Sequence, residues 1–361
     1  MRKSNTEISA PARLVDDGSG WQTSTVLSQA LVSYVARELK NAFTNDAKEP
    51  SVIDEAIRRG FTRLDDDIVQ GALRSISSAA TRAEIIADIA PAVSGSMAVL
   101  AIYDPELSIL RVASVGDSRA VLGQLSGGNS ANGTWNALAL STPQTPVRED
   151  ELAILLKEHP DEPEMIANKR LLGIPVTRAF GDHRWKWPAE AIAEGRKKYY
   201  AFEARPNFKS PPYLHATPEI STTVVKPGDF AILGTDGLWD TMSAENAIRC
   251  MSMWIHETNR RVDEGEEYLG KLSDAHAESI PVMEEEQETR VGETWSWIAR
   301  PEDFVCEDAN AATHLIRNAL GGNRREQFCT LMGVLPPSTD DARDDMTVQV
   351  IFFGDVVKGC A

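Results

Sequence analysis

Three aspartates stand where carboxylates can do metal chemistry. Asp16 lies in L-V-D-D-G-S-G-W, Asp236 in A-I-L-G-T-D-G-L-W-D, and Asp344 in A-R-D-D-M-T-V-Q-V. Each sits at the edge of an apolar, strand-like run beside a turn. Carboxylates at strand ends can converge on one rim of a sheet, where they repel one another unless a cation lies between them. Oxygen-only donors favour Mg²⁺ or Mn²⁺ over zinc, and no histidine or cysteine accompanies these three at ligand spacing. Taken singly, an aspartate in such a place is more often a turn former or a cap. Spacing alone leaves both readings open. The chain has no nucleophile elbow and no cysteine-based phosphate loop.

The elements that must position these residues follow from the apolar pattern. Residues 22–43 place Val26, Leu27, Ala30, Leu31, Tyr34, Val35 and Leu39 at helical spacing. Residues 50–74 form a second amphipathic helix that starts at Pro50, and a third short helix is expected over 80–89. The pattern then changes. Residues 94–104, 107–117 and 119–125 are β-type runs broken by D-P-E and G-D-S turns, which predicts an antiparallel meander. Residues 228–240 read as a strand ending in a turn, followed by a helix from Ser243. Residues 345–355 read as a closing strand. Helices, then hairpins, then helix and strand give an α+β chain.

Composition narrows the function classes. The 361 residues carry 37 Lys+Arg against 54 Asp+Glu, a formal net charge of −17. Nucleic acids and anionic membranes need a positive field, so neither is an expected partner. No apolar run approaches the roughly 20 residues that span a bilayer. Cys250, Cys306, Cys329 and Cys360 show no C-x-x-C spacing and read as reduced thiols. Residues 257–293 hold twelve Asp/Glu against four Lys/Arg and read as a solvated acidic insertion. The basic triplet Arg196-Lys197-Lys198 is more often a solvated patch than a docking site. Trp185, Trp187, Trp295 and Trp297 are more often packing residues than a binding platform.

Four segments together resemble the metal-dependent protein phosphatases of type 2C, the PPM family. S-G-S-M-A-V-L-A-I-Y-D-P-E-L-S-I-L-R-V-A-S-V-G-D-S-R-A-V-L-G (94–123) is similar to the family's central hairpin. P-V-T-R-A-F-G-D-H-R-W-K (175–186) resembles its S/T-R-A-x-G-D motif. D-F-A-I-L-G-T-D-G-L-W-D (229–240) and R-D-D-M-T-V-Q-V-I-F-F (343–353) resemble its D-G-L-W-D strand and its closing R-D-N/D-x-T strand. The helix A-L-V-S-Y-V-A-R-E-L-K and residues 205–220 (R-P-N-F-K-S-P-P-Y-L-H-A-T-P-E-I) resemble the mitochondrial pyruvate dehydrogenase phosphatase branch.

The resemblance implies a sandwich of two antiparallel β-sheets flanked by helices over 14–357, preceded by a tail at 1–13. It implies two Mg²⁺ or Mn²⁺ ions, a phosphoserine or phosphothreonine protein substrate, and attack by metal-activated water. It assigns the metal to Asp16 or Asp17, Asp236 and Asp344. Asp345 stands where the family often has Asn. A mitochondrial matrix location is implied by the branch, although no clear transit peptide is present.

The chain also departs from the family. In V-D-D-G-S-G-W the family's D-G-H-x-G motif has lost its histidine, whether Asp16 or Asp17 is taken as the metal aspartate. Pro143 replaces a further metal-binding aspartate of some members. The family's first strand, with its phosphate-holding arginine, is not matched, and Arg13 does not take its place. These departures predict impaired turnover. The competing readings are a non-catalytic relative that binds phosphoprotein and an incomplete gene model of an active enzyme. Asp117 and Asp182 read as turn residues, Asp182 with a potential hydrogen bond near the metals.

Overall fold

The computed structural model describes residues 12–16 (through their backbone), 20–44, 49–76, 78, 81–127, 133–199, 204–265, 297–334 and 343–357. In chain order come strand β1 (Ala12–Asp16), helices α1 (Trp21–Thr44), α2 (Pro50–Ile76) and α3 (Arg82–Val93), then strands β2 (Gly95–Asp104), β3 (Ile109–Val115), β4 (Arg119–Gly127) and β5 (Thr134–Ala139). Helix α4 (Glu149–Glu158) leads to the short strands β6 (Ile166–Ala167), β7 (Arg170–Leu171) and β8 (Phe180–Gly181). Then follow α5 (Ala189–Tyr199), β9 (Glu219–Val224), β10 (Phe230–Gly234), α6 (Asp236–Thr241), α7 (Ala244–Glu264), α8 (Ala311–Ala319), α9 (Arg325–Gly333) and β11 (Val348–Phe352). The domain expected over 14–357 is built from two compact units. One comprises Met1–Ala120 and Ala139–Val225, the other Val121–Leu138 and Lys226–Ala361.

The first unit holds a sheet of order β1-β2-β3-β9, with β8 paired to the start of β2. β1 with β2, β2 with β3, β2 with β8 and β3 with β9 all pair antiparallel; Asp16 is opposite Met97, and Gly95 is opposite Gly181. The apolar stripes predicted from sequence make the core. Leu27, Leu31, Val35 and Leu39 of α1 and Ile57, Phe61, Leu64 and Ile68 of α2 are all buried. Gly60 lets α2 cross α1 closely, since a Cβ there would lie 2.7 Å from the Val35 Cα. Helix α3 starts at a capping box in which Glu84 and Thr81 satisfy each other's backbone N–H groups. It runs past the expected end, through Pro91 to Val93, where Ser94 N–H closes the last turn on the Ala90 carbonyl.

The expected meander is corrected. β2 and β3 form the hairpin, but β4 leaves for the other sheet, and β3 takes β9 as its second neighbour. The G-D-S turn lies at the point of departure. Gly116 adopts φ +97°, a left-handed conformation that carries the chain away from β3.

The second unit holds the sheet β11-β10-β4-β5, in which β10 and β11 run antiparallel with Gly234 opposite Val348. Phe230, Ile232, Trp239, Met251, Trp254 and Leu315 are buried in its core. Helix α7 starts where expected, with Ser243 Oγ accepting from Asn246 N–H, and it ends at Gly265 in the left-handed conformation. Residues 257–264 of the predicted acidic insertion are therefore the last two turns of α7. Residues 266–296 lie outside the described residues. Cys250, Cys306 and Cys329 are free thiols. No described helix is long and apolar enough to cross a membrane.

Candidate active site

In the second unit, two of the three predicted carboxylates come to one end of one sheet. Thr235 ends β10 as the N-cap of α6, so Asp236 occupies the first helical position. The turn expected at D-G-L-W-D is this short helix. Thr235 Oγ1 donates to the Asp345 carbonyl at 3.0 Å and accepts from Thr347 N–H at 2.9 Å. The Thr235 N–H donates to the Thr347 carbonyl. A Cβ on Gly237 would lie 2.5 Å from the Asp345 oxygen, so only glycine admits the R-D-D-M-T segment this close. Each carboxylate is also oriented by the next backbone N–H. Gly237 donates to Asp236 Oδ1 at 2.9 Å, and Asp345 donates to Asp344 Oδ1 at 2.7 Å. Asp236 is half-buried and Asp344 exposed.

In the first unit, β1 delivers Asp16 to the end of its strand, opposite Met97 of β2. Asp17 lies outside the described residues. Three segments meet beside that end. Thr23, in the first turn of α1, donates its Oγ1 to the Pro91 and Ser94 carbonyls at 2.6 and 2.7 Å. Gly181 and Asp182 of the T-R-A-F-G-D motif pair with Gly95 and Ser94. The Asp182 carboxylate fills the space above Gly95, where a Cβ would come within 2.0 Å of Oδ2.

Asp182 is buried and takes a left-handed backbone at φ +52°. Burial, with the negative Asp65 nearby, pushes its carboxyl up to about 7, against the pull of Lys186, Arg205 and Arg184. Asp65 on α2 was not expected from the sequence. It accepts two bonds from Lys186 Nζ, at 2.6 and 2.8 Å, and one from Gly181 N–H at 2.9 Å. Burial still pushes its carboxyl up from the usual range. His183 is buried against Trp187, and burial pulls its imidazole down to about 4, so it is neutral at pH 7.

A second buried network holds the same motif from its other side. Glu151 of α4 accepts from Thr177 Oγ1 and from Arg178 Nε and Nη2. Arg178 Nη1 donates to the Thr217 carbonyl at 2.9 Å. Asp117, as expected, lies in the turn between β3 and β4. Gln144, next to Pro143, clamps that turn by accepting from Gly116 N–H and donating to the Ser114 carbonyl. Trp185 and Trp187 are packing residues, as expected. Among the described residues no three His, Cys, Asp or Glu side chains form a metal-holding group.

The family model described as Protein phosphatase 2C matches residues 20–277. The chain belongs to the protein phosphatase 2C family. These are the metal-dependent protein serine/threonine phosphatases. A protein phosphatase 2C homolog of Schizosaccharomyces pombe is 36% identical over 349 residues, covering 94% of this chain and 72% of its own length. The mitochondrial [pyruvate dehydrogenase [acetyl-transferring]]-phosphatase 1 of Saccharomyces cerevisiae is 36% identical over 364 residues, covering 95% of this chain and 61% of its own. The human phosphatase of that name is 31% identical over 328 residues, at 85% and 56%. The chain thus spans less than two thirds of both pyruvate dehydrogenase phosphatases. The solved serine-threonine phosphatase 2C of Toxoplasma gondii aligns with 97% of this chain and 87% of its own at a TM-score of 0.51 and 16% identity. That likeness supports the phosphatase 2C fold. The two sheets and the flanking helices agree with it.

Proposed function

We propose that this phosphatase 2C chain hydrolyses phosphoserine and phosphothreonine monoesters on a mitochondrial protein of the pyruvate dehydrogenase kind. Asp236, Asp344 and Asp16 or Asp17 would hold two Mg²⁺ or Mn²⁺ ions. The observation that carries this reading is the strap between the two halves of the second unit's site. Thr235 Oγ1 donates to the Asp345 carbonyl, and the missing side chain of Gly237 leaves room for that carbonyl, so the Asp236 turn lies against the Asp344 segment. The donors are hard carboxylate oxygens, which suits these ions. When bound, the ions supply an activated water at neutral pH and neutralise phosphoryl charge.

The chain's own residues set up the rest. The N–H groups of Gly237 and Asp345 fix the rotamers of Asp236 and Asp344 before any ligand arrives. Such preorganisation lowers the cost of binding. Asp182 holds its proton up to about pH 7 beside the strand end that carries Asp16. The motif at 16–20 supplies no histidine. A general acid contributes about 10²–10⁴-fold, so turnover is expected to fall below that of a relative with D-G-H intact.

The test is kcat/KM on a phosphoserine peptide with millimolar Mn²⁺. Asp236→Asn and Asp344→Asn should each lower it at least ~10²-fold, on the scale of lost transition-state charge stabilisation. Full metal-dependent turnover in Asp236→Asn would remove that residue from the site.

A further inference from the structure

A group of arginines in the first unit is left unexplained by the metal chemistry. Arg184 and Arg205 both lie against Trp185, with their guanidinium carbons 5.8 and 4.6 Å from its ring. The indole is a fixed platform. Its Nε1 donates to the Leu171 carbonyl at 3.1 Å, and the Trp185 carbonyl accepts from Tyr213 N–H. Stacking on an aromatic face stabilises each guanidinium singly. It does not cancel the repulsion between them. Burial first, and then the charge of Arg205, hold the Arg184 guanidinium below its usual pKa.

Arg205 Nε is buried and has no hydrogen-bond partner among the described residues. Buried donors are almost always satisfied, so such a group calls for an acceptor. Asp182 feels both arginines, and burial raises its carboxyl to about 7. Arg170 Nη1 donates to the Gly173 carbonyl at 3.2 Å, and Arg205 Nη1 lies 3.5 Å from where a Gly173 Cβ would stand.

The backbone here takes the left-handed conformation at several positions. Asn168, Lys169, Leu172, Asp182 and Asn207 all have positive φ, five of the six such non-glycine residues described. Asn168 and Lys169 form the two-residue turn of the β6–β7 hairpin, which takes positive φ at both positions, so the bulky Leu172 is the costly one.

We propose that Arg184 and Arg205, on the Trp185 platform, form an oxyanion site that takes an anionic group of the phosphoprotein substrate. The inference rests on the phosphatase reading for its substrate. Its chemistry is that of a guanidinium pair toward a phosphoryl group or a carboxylate. The molecule carries a net charge of −17, which repels an anionic peptide. A local positive site is what lets such a peptide approach.

The experiment compares the full chain with Arg184→Gln, Arg205→Gln and the double variant, with Lys198→Gln of α5 as a charge-matched control. Three probes are used: a phosphoserine peptide with acidic flanks, the same peptide with glutamine flanks, and p-nitrophenyl phosphate. With Mn²⁺, each arginine variant is expected to raise KM for the acid-flanked phosphopeptide on the order of ten-fold, with kcat held within about two-fold and the control unchanged. A rise shared by all three probes identifies the phosphoryl group as the ligand. A rise confined to the acidic flanks identifies a carboxylate. Calorimetric titration of the EDTA-treated chain with the acid-flanked phosphopeptide gives a readout independent of turnover. Binding that is lost in the arginine variants, in a wild-type chain that does not turn over, would sink the catalytic reading and uphold the site. Unchanged KM and binding in the double variant, or an equal loss in Lys198→Gln, would overturn the proposal. Arg205→Lys guards against misfolding: it keeps the charge but loses the fork, and should be intermediate.

Discussion

At Asp182 a single carboxyl couples the stability of the fold to pH. Its ordinary value is 3.8, and burial beside Asp65 raises it to about 7 in the folded chain. Between those values the folded state binds a proton that the unfolded state has released. Stability from this group is therefore full below about pH 4 and is lost as pH rises through about 7. His183 and His215 act in the opposite sense. Burial pulls both down to about 4, so the unfolded state binds their protons first, and stability falls as pH drops from about 6.5 to 4. The two effects partly cancel in the wild-type curve. Asp182→Asn removes only the first, so the metal-free variant should gain on the wild type as pH rises from 5 to 8. Urea unfolding at these two pH values measures the difference. A constant gap between variant and wild type would mean that Asp182 does not titrate there. Little of this was legible in the sequence. G-D in the motif marked Asp182 as a turn residue. Burial raises its pKa, and the negative Asp65 that adds to it comes from α2, far away in the chain and paired with Lys186. Asp65 was hidden because it sits in the run Asp65-Asp66-Asp67, which reads as a solvated helix face.

Among the elements, α4 does more than connect β5 to the hairpin of β6 and β7. Its Glu151 is buried and holds both Thr177 and Arg178, while Arg178 reaches on to the Thr217 carbonyl. Burial opposes the charge on Glu151, but the hydrogen bonds from Arg178 and Thr177 outweigh it and keep the carboxyl below its usual range. Glu151→Gln leaves the buried Arg178 charge without its anion. Breaking such a pair costs about 3 kcal/mol or more. The control is Glu219→Gln. Glu219 bonds Arg148 at 2.8 Å, but its side chain is 43% exposed. That loss is expected to stay under about 1 kcal/mol. Chemical denaturation separates the two outcomes, and equal effects would show that the buried pair has no special weight.

The elements themselves were legible to different degrees. Helices α1 and α2 appeared where their stripes of Leu27, Leu31, Val35 and Ile57, Phe61, Leu64 put them, because burial of one face is a local, periodic signal. The exit of β4 was not legible, because adjacency in sequence favours pairing and the partners that β4 takes, β10 and β5, are not marked by any local pattern. β9 carries a mixed, half-exposed pattern, E-I-S-T-T-V, with too little alternation to stand out.

For the whole molecule, the charge balance makes metal binding a question of stability as well as of chemistry. A chain with 54 acidic and 37 basic residues carries self-repulsion that any bound cation relieves. Two kinds of relief can be told apart. Diffuse screening acts on all exposed carboxylates and depends on ionic strength alone. Site binding depends on particular side chains, here Asp236 and Asp344, which the Thr235 strap brings to one sheet end. A ligand that binds only the folded state at 100 times its Kd adds about 2.7 kcal/mol. With an unfolding entropy of about 2.1 cal/mol/K per residue over a chain of this length, that corresponds to a rise in Tm of about 3–4 °C. Millimolar Mn²⁺ should produce a shift of this size, and NaCl at matched ionic strength should not. Asp236→Asn should abolish most of the Mn²⁺ shift while leaving the response to NaCl intact. If NaCl reproduces the whole shift in the wild type, the cation is screening a surface, and the carboxylates at the ends of β10 and β11 are caps and turn formers after all.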